Sequence, residues 1–214
     1  MRMTKFTHAC VRLDDDGRSL VIDPGEFSEC AEALDGASAV LITHEHFDHL
    51  NVEALLSAAR ANPDLLVWAP APVVAKLAEL GSRASQVEPG ESFDAAGFSV
   101  RAFGGQHAVI HQAIGTPCAN LGYLVNDAVY HPGDSFFVPP APVRTLLAPL
   151  HAPWSKLAEI IDFVVATRAP QAFPIHDAML SESGVQNSVG HVGRFAKTYE
   201  TSFTYLPPGA VVDL

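Results

Sequence analysis

The chain has 214 residues, 48% apolar and 17% charged, with a formal net charge of −11. That length and composition fit one packed domain over residues 1–214 and exclude a disordered segment. The acidic balance repels phosphate backbones, which makes a nucleic-acid partner unlikely and favours a small-molecule substrate.

The elements follow in chain order. Residues 4–24 predict a hairpin: a strand over Phe6–Leu13, a turn over Asp14–Ser19 and a second strand from Leu20 to Asp23, closed by Pro24-Gly25. Ala39–Thr43 is a short β-rich apolar run, hence a buried strand. Leu50–Ala61 has apolar residues at helical spacing, stopped by Asn62-Pro63. A strand over Leu65–Pro70 and a helix over Pro72–Leu80 come next, with Gly81 beyond the helix end. Phe98–Phe103 alternates as a strand, and Leu121–Val125 with Ala128–Tyr130 reads as a hairpin. Arg144–Leu150 and Gln171–Ile175 are further strands, with an amphipathic helix over Pro153–Thr167 between them. Ser183–Tyr199 predicts a helix despite Gly190 and Gly193, and the end from Phe203 to Leu214 holds one or two short strands. Strands fall into two groups, each followed by helices. This suggests an α/β fold of two sheets packed face to face with helices outside, a four-layer αββα sandwich.

Cys10, Cys30 and Cys118 are odd in number and form no CxxC, which favours reduced thiols and a cytoplasmic location. The N-terminus has no apolar run fit for a signal peptide, and no stretch approaches the ~20 apolar residues of a membrane span. The unusual feature is histidine, with ten residues, three of them between His44 and His49.

The densest cluster is His44-Glu45-His46-Phe47-Asp48-His49, directly after the buried strand at Ala39–Thr43. Imidazole nitrogens and a carboxylate suit Zn, Mn or Fe ions. A sharp turn would let His44 and His46 converge on one point, while Asp48 and His49, at the start of the next helix, face a second. As a lone residue Asp48 would be an ordinary helix N-cap. Three imidazoles packed together are costly unless something binds them.

This HxHxDH pattern resembles the signature of the metallo-β-lactamase superfamily. The later motifs follow in the family's order: Gly104-Gly105-Gln106-His107, His131-Pro132-Gly133-Asp134, and Phe173-Pro174-Ile175-His176, with Ile22-Asp23-Pro24 upstream. The resemblance implies one metal held by His44, His46 and His107 and a second by Asp48, His49 and His176. Asp134 would bridge them, and Asp23 would orient a ligand from outside. Thr7-His8-Ala9-Cys10, Gly104–His111 and Ala152-Pro153-Trp154 are similar to the ascorbate-6-phosphate lactonase-like branch, with two departures: Thr7 stands in place of Gly, and His151 in place of a small residue. That branch often assembles, which leaves a homo-oligomer open.

The function so implied is binuclear hydrolysis of a lactone, ester or phosphodiester by a metal-bridging hydroxide. Two divalent ions, with zinc preferred over manganese or iron, would be the cofactors. Asp48 is the residue expected to orient the water or take its proton. His8, His111 and His131 are candidates to meet the substrate or protonate its leaving group. Trp154 reads as core, and His151 and His191 as surface. The alternatives are iron-dependent redox chemistry on the same fold, or a metal-containing protein that binds a ligand without catalysis.

Overall fold

The computed structural model describes residues 1–114 and 117–214. The first sheet is built from β1 (Arg2–Lys5), β2 (Val11–Asp15), β3 (Arg18–Ile22), β4 (Ala39–Leu41), β5 (Leu66–Ala69) and β6 (Ala84–Gln86). The helices α1 (Cys30–Ala33), α2 (Val52–Ala61) and α3 (Ala71–Lys76) connect its parallel strands. The second sheet holds β7 (Ser92–Ala95), β8 (Phe98–Gly104), β9 (Leu121–Val125), β10 (Val129–His131), β11 (Thr145–Pro149), β12 (Gln171–Ile175) and β13 (Ser202–Phe203). Its helices are α4 (Leu157–Thr167) and α5 (Glu182–Thr198), and β14 (Val211–Asp213) returns to pair with β1 in the first sheet. The strand orders are β14-β1-β2-β3-β4-β5-β6 and β13-β12-β11-β10-β9-β8-β7.

The layering follows from the two-residue period of a strand, which sends alternate side chains to opposite faces. In β3, Leu20 and Ile22 enter the core between the sheets, while Val21 joins Val40, Leu55 and Val67 beneath the first helical layer. In β9, Leu121, Tyr123 and Val125 face the first sheet. Leu124 points the other way, towards Leu146, Ile160, Phe163 and Val192 under α4 and α5. Both central strands are therefore apolar on both faces, as sheets covered on both sides require. This is the expected αββα sandwich.

Several expectations change in detail. The predicted strand over Phe6–Leu13 is broken: Phe6–Cys10 is a loop, because His8 adopts a left-handed backbone with φ 66°. The helix expected from Leu50 begins at Val52, where Asn51 is the cap and accepts a bond from the Ala54 amide at 3.0 Å. Asp48 and His49 therefore lie in the turn ahead of the helix, and Asp48 is no N-cap. The helix expected from Pro153 begins at Leu157, so Trp154 sits in the preceding turn. The short strands β6 and β7 were not anticipated.

Candidate metal centre

The seven expected ligands all follow strand ends on one edge of the sandwich. His44 to His49 follow β4, His107 follows β8, Asp134 follows β10 and His176 follows β12. Ligand sites at the carboxyl ends of strands are the general rule for sheets with parallel crossovers. The structure brings the side chains into two clusters: His44, His46, His107 and Asp134, and His8, Asp48, His49 and His176. Asp134 stands between them. Its Oδ2 lies 3.2 Å from His107 Nε2, and its Oδ1 lies 3.0 Å from His49 Nε2 and 3.2 Å from His176 Nε2.

The ring tautomers are fixed from outside. His49 Nδ1 donates to Asp23 Oδ2 at 2.6 Å, His107 Nδ1 to the Ala108 carbonyl at 2.6 Å, and His176 Nδ1 to the His151 carbonyl at 2.6 Å. His44 Nδ1 lies 3.0 Å from Thr43 Oγ1, which itself donates to Asp23 Oδ2 at 2.6 Å. An imidazole that donates through Nδ1 keeps its lone pair on Nε2. Four rings thus aim Nε2 lone pairs inward, and His46 is reversed. Its Nδ1 meets His44 Nε2 at 3.1 Å, while its Nε2 faces Cys118 Sγ at 3.8 Å.

This convergence fits divalent cations. His49 Nε2, His176 Nε2 and Asp134 Oδ1 are buried and make no hydrogen bond. Orphaned buried polar atoms cost of order 1–3 kcal/mol each, unless a partner is bound. All the donors are nitrogen or carboxylate oxygen, the set that suits zinc, manganese or iron. Without a cation, protons do part of the same work. Burial disfavours charge on His176, but the Asp134 and Asp48 carboxylates outweigh it and push His176 up to about 9. His49 is raised in the same way, against burial, by Asp134 and Asp23. Burial, with His49 beside it, holds His44 well below the ordinary imidazole value. Asp48 is held far below the usual carboxylate range: burial raises it, but the neighbouring imidazoles of His176, His8 and His49 outweigh that.

Local backbone shape makes the convergence. Asp23, His8 and His176 all have positive φ, at 51°, 66° and 59°. Left-handed backbone at a residue with a side chain costs of order 1 kcal/mol and persists where its surroundings hold it. Gly25 runs so close to the Asp48 carbonyl that any Cβ there would overlap it. Gly133 likewise leaves room for Asn120 and Thr43.

The candidate donors separate. His8 lies inside the second cluster. Its Nε2 is 3.2 Å from Asp48 Oδ2, its Nδ1 accepts from the Ala178 amide at 3.3 Å, and its ring lies tilted against that of His176, centroids 3.9 Å apart. His131 is fully buried beneath the site, with Nε2 on the Ala9 carbonyl at 2.9 Å and Nδ1 accepting from Gly133 N at 3.1 Å, so neither nitrogen is free for a substrate. His111 is exposed, accepts from Ala113 N at 3.1 Å, and belongs to neither cluster.

Some site residues escaped the sequence reading. Trp154 is not simply core: its Nε1 donates to Asp134 Oδ2 at 2.9 Å. Asn120 Oδ1 accepts from the Asp134 amide at 2.9 Å. His151 is exposed, as expected, yet lends its carbonyl to His176. Lys5 is buried and bonds both oxygens of Asp177, at 3.1 and 3.3 Å, next to His176. The run Ala152-Pro153-Trp154 was a signal for the tryptophan. Lys5 had none beyond a charge among the apolar residues of a strand.

A family model described as a beta-lactamase superfamily domain matches residues 2–176. Protein Rv0786c of Mycobacterium tuberculosis is 36% identical over 219 residues, covering 99% of each chain. A UPF0173 metal-dependent hydrolase of Xanthobacter autotrophicus is 31% identical over 144 residues, covering 63% of this chain and 58% of its own. Among solved structures, Igni18, a metallo hydrolase from Ignicoccus hospitalis, superposes with a TM-score of 0.75 at 17% identity, covering 99% of this chain and 97% of its own. The chain therefore belongs to the metallo-β-lactamase superfamily, where it groups with metal-dependent hydrolases. No helix among the described residues is long and apolar enough to cross a membrane.

Proposed function

We propose that this chain is a binuclear metal-dependent hydrolase of a small molecule, related to the lactonase-like branch, acting as one domain in the cytoplasm. The observation that carries this reading is the single carboxylate, Asp134, shared by two clusters whose inward lone pairs face one another. His44, His46 and His107 would hold one ion, and Asp48, His49 and His176 the other, with an oxygen of Asp134 on each. Zinc suits this donor set best, and manganese or iron is tolerated. Divalent ions held there would supply Lewis acidity and shift the pKa of water from 15.7 towards ~7.

The chain's own residues supply the rest. Asp48, half-buried and 3.2 Å from His8 Nε2, would orient a water and take its proton. His8 accepts the Ala178 amide at Nδ1, so it carries its proton on Nε2 and donates it to Asp48 Oδ2. That bond fixes the direction of the Asp48 lone pairs. It also makes His8, of the three candidate histidines, the one able to return a proton to a leaving group. Trp154 Nε1–H and the Asn120 amide hold Asp134 from two sides. Lactone, ester and phosphodiester substrates all fit this arrangement.

Elemental analysis of the purified protein, with His46→Ala and Asp134→Ala in parallel, tests the reading against lactone and phosphodiester reporters. About two equivalents of zinc or manganese are expected. Both the metal and the hydrolysis should be lost in the variants. Iron with no hydrolysis would favour redox chemistry instead, and no stoichiometric metal would overturn the proposal.

A further inference from the structure

We infer that the substrate of this centre is an uncharged ester or lactone carrying an alkyl or aryl group, which packs on an apolar rim around the metal site. This rests on the hydrolase reading above and narrows its substrate class.

The rim is visible in where the exposed large apolar residues lie. Phe195, Tyr199 and Val211 are on or at the end of α5 and on β14. The remaining seven among the described residues all lie within four residues of a candidate ligand or of Asp23 in sequence. Phe47 stands between His46 and Asp48. Val109 and Ile110 follow His107 by two and three residues, Phe137 follows Asp134 by three, and Met179 follows His176 by three. Three residues of chain span at most ~11 Å, which keeps the backbone of each close to its neighbouring ligand. Phe27 closes the ring: its side chain meets His8 edge-on at 5.2 Å and Phe47 at 5.5 Å. Exposed apolar residues scattered singly need no explanation, but their gathering around one concave polar centre marks a binding surface.

Charge points the same way. The loops over residues 23–29, 43–51, 104–111, 132–138 and 176–181 contain no lysine or arginine, and the loop after β11 that carries Trp154 adds one, the exposed Lys156, 3.7 Å from Glu159. Lys5 and Lys76, which border these loops, are paired: Lys5 is buried against Asp177, and Lys76 meets Glu45 Oε2 at 2.8 Å. The groove beside Phe47 is lined by Glu26, Glu45 and Glu53 together with Lys76. A phosphate or phosphorylated substrate ordinarily meets arginine, lysine or a helix N-terminus. These loops instead offer aromatic rings, aliphatic side chains and glutamates. An alkyl or aryl ester fits them, and apart from Lys156 they offer a phosphoryl group no cationic side chain.

Hydrolysis adds water across the acyl C–O bond of such a substrate and yields a carboxylic acid and an alcohol. A lactone yields the hydroxy acid. The acid product is therefore a binding probe that needs no turnover. The test uses the zinc-loaded protein with γ-lactones from γ-valerolactone to γ-undecalactone, with bis(4-nitrophenyl) phosphate as the anionic comparison. Calorimetric binding of acetate and octanoate runs alongside. Full burial of a methylene is worth roughly fourfold, so a half-exposed rim gives about twofold per methylene and on the order of 60-fold across the lactone series. Octanoate should bind at least about tenfold more tightly than acetate. Ile110→Ser and Met179→Ser should flatten both trends while metal content stays at the wild-type level. A chain-length trend that is flat or falling, with lactones still hydrolysed, overturns the rim and leaves the hydrolase. A preference for octanoate without any hydrolysis supports the rim and sinks the hydrolase. A preference for the phosphodiester overturns the inference. So does sedimentation showing that the two variants abolish a dimer, or vesicle binding lost in them without any octanoate preference, because the rim would then be covered by a second copy or a lipid surface.

Discussion

Asp23 shows how much one side chain outside the ligand set decides. It accepts from the Thr43 amide at 2.7 Å, from Thr43 Oγ1 at 2.6 Å and from His49 Nδ1 at 2.6 Å, and all of these are buried. Asp23→Asn would offer His49 an N–H as readily as an oxygen, and the ring would lose the reason to keep its lone pair on Nε2. Metal affinity should fall about 10- to 100-fold, read by competition with a chromophoric chelator. An unchanged affinity would show that the ring is held by packing alone. At the departure noted in the first loop, Thr7 replaces glycine and is clamped by Glu29, which accepts from the Thr7 amide at 2.9 Å and its hydroxyl at 2.6 Å. Burial raises the Glu29 carboxyl, but these two bonds outweigh it and lower it below 4.5. A depressed folded pKa stabilises above the unfolded value and is lost as pH falls through the folded one. The clamp is exposed and worth under ~1 kcal/mol. Thermal melts should therefore show a slightly shallower loss of stability below about pH 4.5 in Glu29→Gln than in the wild type.

Between elements, the pair Lys5–Asp177 ties β1 to the turn that carries His176. Both residues are buried, and Lys5 Nζ also donates to the Phe6 carbonyl at 3.1 Å. Removing one partner strands a buried charge, so Lys5→Met should cost about 3–5 kcal/mol by denaturant unfolding, and restoring neutrality with Asp177→Asn should recover part of it. A loss below about 1 kcal/mol in the single variant would mean that the pair is effectively solvated. This pair also shows where sequence reading runs out. The candidate ligands were legible because each follows an apolar run and then a turn, and because three imidazoles in six residues have no inexpensive alternative. Lys5, Thr43, Asn120 and the His151 carbonyl matter only through partners far away in sequence, and no local pattern announces them. The break at His8 was hidden for a related reason: apolar residues continue through Phe6–Leu13, and a histidine gives no warning of the left-handed backbone that a glycine would. His8 and His131 look alike in sequence. Both are fully buried, and their partners alone separate them, one beside Asp48 and the other bonded to Ala9 beneath the site.

For the molecule as a whole, the two sheets meet through the core formed by Leu13, Leu20, Ile22 and Leu41 on one side and Val100, Tyr123, Leu147 and Phe173 on the other. They also meet through the metal centre, since His44, His46, Asp48 and His49 come from the first sheet and His107, Asp134 and His176 from the second. A ligand that binds only the folded state stabilises it by mass action, ~2.7 kcal/mol at a hundred times its Kd. For a chain of this length that corresponds to a rise in Tm of roughly 5–10 °C. Stripping the metal with a chelator should lower Tm by about that amount, and zinc should restore it, by calorimetry. Equal melting with and without zinc would mean that the centre binds too weakly to link the sheets.

The division of the ligands has a further consequence. Residues up to Gln86 build the first sheet except for β14, and residues from Ser92 build the second. A chain cut in the segment between them would yield two fragments, each carrying an incomplete set of ligands. Zinc would then act as the glue of a fragment-complementation pair: the halves would associate when it is supplied and part when it is withdrawn.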